Sequence, residues 1–252
     1  MLEITVKGLL FDMDGTLVDS SPAVEKTMGE WCKEQDIEPS EFFQDNIKRF
    51  QTVPVPGTSL TEEELLESVN KLEWLIAENG RLMHEAGGRG ITALPGVHGF
   101  LQKLRDGGAR WGICTSATRI YANSALTTSE IGSTPPALPF LITADDVTHG
   151  KPNPEPYLKG MEALRKMPGA DFEPSDILVF EDAPSGLTAG LAAGCKTLAV
   201  CTGQPRERIR AVEATVKTVD LTRLEVLSCS ADSVTLRIRT LEEEEAEETK
   251  AK

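Results

Sequence analysis

Two aspartates, Asp12 and Asp14, stand two residues apart with Gly15 directly after them, and the apolar run ending at Phe11 reads as a strand. Residues i and i+2 of a strand share a face, so both carboxylates can address one small volume. Glu181 and Asp182 add two more acids, again just past an apolar run, Ile177-Leu178-Val179-Phe180. Four carboxyl groups at one rim repel one another unless a cation lies among them, and an all-oxygen donor set suits Mg2+. Lys151 and the hydroxyls of Thr115 and Ser116 supply what a phosphate needs, a point charge and hydrogen-bond donors. Acids for metal and nucleophile, with a lysine and hydroxyls for phosphate, describe a phosphoryl-transfer site. Each motif alone has a plainer reading: D-x-D as a solvated turn, Lys-Pro as a turn with an exposed ammonium, Glu-Asp before Ala-Pro as a helix cap. Their common position after successive apolar runs is what favours a site.

The elements that must position these residues alternate. Ile4 to Phe11, Trp111 to Cys114, Phe140 to Ile142 and Ile177 to Phe180 read as buried strands, each ending in a polar cluster. Between them, Gly96 to Asp106, Ala117 to Thr128, Glu155 to Lys166 and Pro184 to Ala193 carry helical patterns stopped by Gly, Pro or Ser. Strands alternating with helices predict an α/β fold with a parallel sheet covered on both faces, whose ligands gather outside the carboxyl ends of the strands.

Residues 20–93 break the rhythm. Ala23 to Gln35 and Glu62 to Glu85 look helical, a Pro- and Gly-rich turn at Val53 to Gly57 separates them, and Thr61 with Glu64 forms a capping box. With no strand pattern, this stretch reads as an all-helical insertion, giving a core of residues 1–19 and 94–230. Past Cys201, Arg206 to Glu213 reads as a helix, Val216 to Val219 as a short edge strand, and Val234 to Arg239 alternates as an exposed edge strand does. Residues 231–252 are assigned to that strand and a tail whose acid block, Leu241 to Glu248, is expected to repel itself and stay disordered.

The whole chain of 252 residues carries 26 basic against 40 acidic side chains, a net charge of −14. Such a balance disfavours a counterion-driven grip on nucleic acid. The apolar fraction of 40% belongs to an ordinary globular protein, and no apolar stretch is long enough to span a bilayer. The N-terminus has neither a basic leader nor a small-residue cleavage site, so a cytoplasmic location is expected. Five cysteines, none in a C-x-x-C pair, are expected to be reduced and mostly buried, and Cys114 inside an apolar run to be inert. His84, His98 and His149 lack ligand spacing and are read as structural.

Asp12 to Ser20 resembles the first motif of the haloacid dehalogenase superfamily, Thr115 the second, Lys151 in Gly150-Lys151-Pro152 the third and Glu181-Asp182 the fourth. The resemblance runs from Val6 to about Thr218 and implies a Rossmann-like core with an inserted helical cap. Ile142 to Gly160 and Phe180 to Gly186 are similar to fungal phosphatases acting on glycerol phosphate and 2-deoxyglucose 6-phosphate, and Ile37 to Phe43 leans toward the deoxyglucose-phosphate branch. The resemblance implies that Asp12 attacks phosphorus to form an aspartyl-phosphate and that Asp14 serves as acid and then base. It implies that Thr115, Ser116 and Lys151 hold the phosphoryl oxygens, and that Asp12, the Asp14 carbonyl, Asp182 and Glu181 hold Mg2+. It departs from the pattern in the cap, where Gln44 to Phe50 has no His-Gly, leaving Lys48 and Arg49 as the cations there. The expected activity is hydrolysis of a small phosphorylated metabolite, a sugar or polyol phosphate, by a monomer. A phosphomutase, a phosphatase for an apolar ester such as an isoprenoid phosphate, and a silent binding protein remain alternatives.

Overall fold

The computed structural model describes residues 1–34, 62–132 and 137–250. The turn expected at 53–57, the Thr61 to Glu64 capping box and the cap stretches at 37–50 with Lys48 and Arg49 lie outside them.

The chain forms β1 (Leu2–Val6), β2 (Gly8–Phe11), β3 (Val18–Asp19), α1 (Ser21–Glu34), α2 (Glu62–Glu85), β4 (Thr92–Ala93), α3 (Val97–Asp106), β5 (Trp111–Cys114), α4 (Arg119–Thr128) and β6 (Leu141–Ile142). It continues through α5 (Glu155–Arg165), β7 (Ile177–Glu181), α6 (Pro184–Ala192), β8 (Lys196–Val200), α7 (Arg206–Arg210), β9 (Val216–Thr218), β10 (Leu224–Cys229), β11 (Val234–Ile238) and α8 (Leu241–Lys250). Six strands make one parallel sheet in the order β6-β5-β2-β7-β8-β9. Successive strand residues serve opposite faces. Leu9, Phe11, Leu178 and Phe180 join the core that includes Phe100 and Leu104 of α3, whereas Leu10, Ile177 and Val179 join Tyr157, Met161 and Leu164 of α5. Both faces are thus buried, which is why these runs are apolar throughout. Phe11 anchors the first core, its ring 4.4 Å from Phe180 and 6.1 Å from Phe100.

The expected strand Ile4 to Phe11 is two strands. β1 pairs antiparallel with β11, and β11 with β10, in a separate sheet, while β2 enters the parallel sheet after Lys7. At Gly8 the side-chain ends of Ile177 and Leu164 pack close, a Cβ there lying 2.8 Å from Ile177 Cδ1. Val234 to Ile238, expected at an exposed edge, is the central strand of that sheet, with Val234, Leu236 and Ile238 buried. It alternates because one face is buried and the other is not, and its neighbours β1 and β10 come from far apart in the chain. Between β2 and α3 the chain leaves and returns through the antiparallel pair β3 and β4, Val18 opposite Ala93, a pairing too short to leave a periodic signal. In this excursion α1 packs on α2, where buried Asn79 donates to Thr27 Oγ1 at 2.9 Å.

The acidic tail is not disordered. Residues 241–250 form α8, whose acids face arginines contributed by three other segments. Glu244 pairs with Arg223 and Arg239 at 2.7 Å each, Glu248 with Arg206 at 2.9 Å and Glu245 with Arg210, while Leu241 is buried. Like charges in sequence repel only until counter-charges from elsewhere are folded against them, and none is visible within the block itself. A chain ending at Thr240 is expected to lose about 2 kcal/mol of stability in urea unfolding, mostly from Leu241. Because exposed ion pairs are screened, the loss should shrink in 1 M salt, as the roughly 3 Å Debye length implies. Equal stability of the two chains at low salt would refute the docking.

Candidate active site

Parallel strands end at one rim, and the polar clusters collect there. Asp12 extends β2 by donating its N–H to the Phe180 carbonyl at 2.9 Å. The chain then turns tightly, the Met13 carbonyl accepting from Leu17 N at 2.8 Å and Gly15 N donating to Val18 O at 2.8 Å. Gly15 has φ +81°, and a Cβ on it would lie 2.5 Å from Asp182 Oδ2, so both the turn and the neighbouring acid require glycine. Gly203 crowds the same oxygen, since a Cβ there would sit 1.9 Å from it and 3.2 Å from Gly15 Cα.

Lys151 is the hub. Its buried ammonium donates to Asp12 Oδ1 at 2.6 Å, Glu181 Oε1 at 2.7 Å and the Cys114 carbonyl at 2.9 Å, which uses all three protons. Burial alone would lower its pKa, but Asp12 and Glu181 beside it override that and hold it above the usual lysine value. Glu181 is equally committed: Oε1 also accepts from the Tyr157 hydroxyl at 2.7 Å, and Oε2 accepts from the N–H groups of Asp182 and Ala183 at 3.1 Å, ahead of α6. Burial, with Glu181 as the next cause, pushes Asp12 up to about 7 against the pull of Lys151. Burial, then Asp12 and Glu181, raises Asp182 well above the carboxylate range.

Asp14 carries a different set of partners. Its Oδ1 accepts from Ser20 Oγ and from Tyr121 Oη, both at 2.6 Å, while its Oδ2 is buried with no hydrogen-bond partner among the described residues. Burial raises its pKa.

Among the described residues, the four carboxyl groups of Asp12, Asp14, Glu181 and Asp182 against the one ammonium of Lys151 leave an excess of negative charge in a dry place. Ligand oxygens of Asp12, Glu181 and Asp182 lie within 4.8 Å of one another. This donor set, all oxygen and short of positive charge, fits a hard divalent cation such as Mg2+. Because Glu181 already accepts four hydrogen bonds, it suits a position one water removed from such an ion, with Asp12 and Asp182 nearer.

Thr115, just past β5, accepts from Ala117 N at 3.1 Å through its Oγ1, so its own proton is free for a phosphoryl oxygen. Ser116 follows it, half-buried. All seven residues singled out from the sequence thus lie at or just beyond the ends of β2, β5 and β7 or on the turn before α5. Cys114 sits behind Lys151, fully buried, its thiol pushed up by that burial and therefore inert. Sequence reading missed Tyr121, Tyr157 and Glu73. The clue to the first two was scarcity: the chain has two tyrosines, and both donate to acids of this cluster. Glu73 of α2 accepts from Thr118 N at 2.8 Å and Thr118 Oγ1 at 2.5 Å, capping α4 from the inserted helices, and no local pattern announces it. Burial raises its pKa.

Residues 9–200 match the family model described as haloacid dehalogenase-like hydrolase. The chain is 32% identical to hexitol phosphatase A of Escherichia coli over 85% of its length and 92% of that protein's. It is 33% identical to glycerol-1-phosphate phosphohydrolase 1 of Saccharomyces cerevisiae, covering 80% of this chain and 77% of that one. It is 27% identical to 2-deoxyglucose-6-phosphate phosphatase 1 of the same yeast, covering 94% and 97%. Among solved structures, a hydrolase from Pseudomonas syringae superposes with a TM-score of 0.62 at 24% identity over 85% of this chain and 93% of that one, a likeness of fold.

Proposed function

We infer, for a chain that belongs to the haloacid dehalogenase-like hydrolase family, a phosphatase that acts on small phosphorylated metabolites by forming and hydrolysing an aspartyl-phosphate on Asp12. The observation that carries the reading is the clamp of Lys151 between Asp12 and Glu181, at 2.6 and 2.7 Å, with ligand oxygens of Asp12, Glu181 and Asp182 within 4.8 Å of one another. It supports a nucleophile and a fixed cation held together, with Asp14, two residues after Asp12, proposed as the separate acid.

In the proposed reaction an Asp12 oxygen attacks phosphorus while the bond to the alcohol oxygen breaks, and Asp14 gives that oxygen its proton. Water then attacks the phosphorus, Asp14 takes back a proton, and Asp12 is released with inorganic phosphate. Lys151 meets the phosphoryl oxygens by exchanging one of its resting carboxylate contacts, and Thr115 and Ser116 offer hydroxyl protons where charge develops. Asp12, the Asp14 carbonyl and Asp182, with Glu181 through water, would hold Mg2+, which when bound neutralises the carboxylates and polarises the phosphoryl group. Residues 20–93 are proposed as the cap that selects the leaving group and excludes water, over a core of residues 1–19 and 94–230.

Three relatives named for hexitol, glycerol and deoxyglucose phosphates support a sugar or polyol phosphate as substrate. The proposal extends to a cytoplasmic monomer; no helix among the described residues is long and apolar enough to cross a membrane. Phosphate release from sugar, polyol and isoprenoid phosphates, with Mg2+ and with a chelator, tests the reading. The expected outcome is chelator-sensitive turnover, fastest on a sugar or polyol ester. An isoprenoid phosphate as the best substrate would overturn the substrate class, and no release from any ester would overturn the activity.

A further inference from the structure

We infer that Tyr121 is a positioning residue for Asp14, fixing which of its two carboxyl oxygens exchanges the proton. The inference rests on the phosphatase reading above and deepens it. Tyr121 is buried in the first half of α4, and its hydroxyl reaches Asp14 Oδ1 at 2.6 Å, as does the hydroxyl of Ser20 from the segment just after Asp14. Two hydroxyl protons on one carboxyl oxygen make it the poorer base, and among the described residues no donor competes for the other, buried oxygen Oδ2. The acid's proton therefore resides on Oδ2.

The same contacts serve both halves of the reaction. As the Asp12 oxygen bonds to phosphorus and the bond to the alcohol oxygen breaks, the Oδ2 proton passes to that oxygen, and the carboxylate left behind is stabilised at Oδ1 by two hydroxyls already in place. When water attacks the aspartyl-phosphate, its proton returns to Oδ2 and Asp12 leaves phosphorus. Ser20 alone cannot stop the carboxyl group rotating about its bond to Cβ, which would exchange the two oxygens; a second donor on an independent element does. That element is itself anchored, because Glu73 of α2 binds Thr118 N and Oγ1 at the start of α4, one turn before Tyr121.

A leaving-group series separates positioning from general damage. Departure of p-nitrophenolate needs little help from an acid, whereas departure of an alkoxide needs a great deal, and kcat/KM covers only the steps through release of the alcohol. In Tyr121→Phe, kcat/KM for glycerol phosphate or a hexitol phosphate is expected to fall about 20-fold through kcat with KM retained, and the fall on p-nitrophenyl phosphate to be at least about fivefold smaller. Ser20→Ala, which removes the other hydroxyl, is expected to give the same steepening in smaller measure, and stands in should Tyr121→Phe not fold. Equal losses on both esters, or no loss on the alkyl ester, would overturn the positioning role while leaving the phosphatase reading intact. A wild type that releases phosphate from no ester would overturn both.

Discussion

Asp12→Asn is expected to stop phosphate release, by at least about 10⁴-fold, while making the metal-free protein more stable. Both halves follow from the same geometry. An amide oxygen keeps the 2.6 Å contact with Lys151 but is too weak a nucleophile to attack phosphorus. The stability half follows from linkage. Asp12 has its pKa raised from 3.8 to about 7 by burial and by Glu181. A group with a raised folded-state pKa contributes stability that is complete below its unfolded value and is lost as pH climbs through the folded value. At pH 8 the carboxylate is therefore a burden, and removing its charge should gain on the order of 1–2 kcal/mol in thermal or urea unfolding. Adding Mg2+ should reverse the ranking, since only the wild type has the full ligand set and binding stabilises the folded state that binds. A wild type as indifferent to Mg2+ as the variant would sink the metal assignment, and residual turnover within about tenfold of wild type would sink the nucleophile.

Lys151→Met should have the largest structural effect of any single change. It removes the ammonium that neutralises Asp12 and Glu181 and fills the third contact, the Cys114 carbonyl. Breaking a buried pair from one side leaves uncompensated charge, which costs about 3–5 kcal/mol. Activity should vanish with it, because among the described residues no other fixed cation is held between the site's acids. The pH dependence separates this mechanism from simple loss of packing. Without the lysine, the carboxyl pKa values rise further, so the variant should regain stability as pH falls from 8 to 5 and Asp12 takes up its proton. The wild type, whose Asp12 already sits at about 7, should also gain over that span but less than the variant, because Lys151 pulls the Asp12 carboxyl down and that pull goes with the lysine. Parallel stability profiles for the two proteins would contradict the charge argument.

What could be read without coordinates was whatever is written locally. Strands buried on both faces must be apolar, so β2, β5 and β7 were legible, and the residues just past their ends, Asp12, Asp14, Thr115, Glu181 and Asp182, were legible as a site. Lys151 was legible from its Gly-Lys-Pro setting, but its role as the neutralising partner of two acids was not. The helices before the acidic tail were found to within a few residues because their apolar spacing and their Gly and Pro stops are near neighbours in sequence.

What failed involved partners far along the chain. β1 was merged with β2 because nothing in Leu2 to Phe11 shows that β11, more than two hundred residues later, claims the first part. The acidic tail looked self-repelling because Arg206, Arg210, Arg223 and Arg239 reach it only through folding. Tyr121 and Glu73 carry no motif, and each matters for a hydroxyl or carboxylate delivered across an interface between elements. By itself, then, the sequence determined the alternating architecture and the chemical types gathered at the strand ends, since periodicity and side-chain chemistry are local properties. Only the tertiary structure decided how charge is balanced in the site and in the tail, because Coulomb and hydrogen-bond energies depend on distance in space, and the partners that set them are brought within 3 Å only by folding.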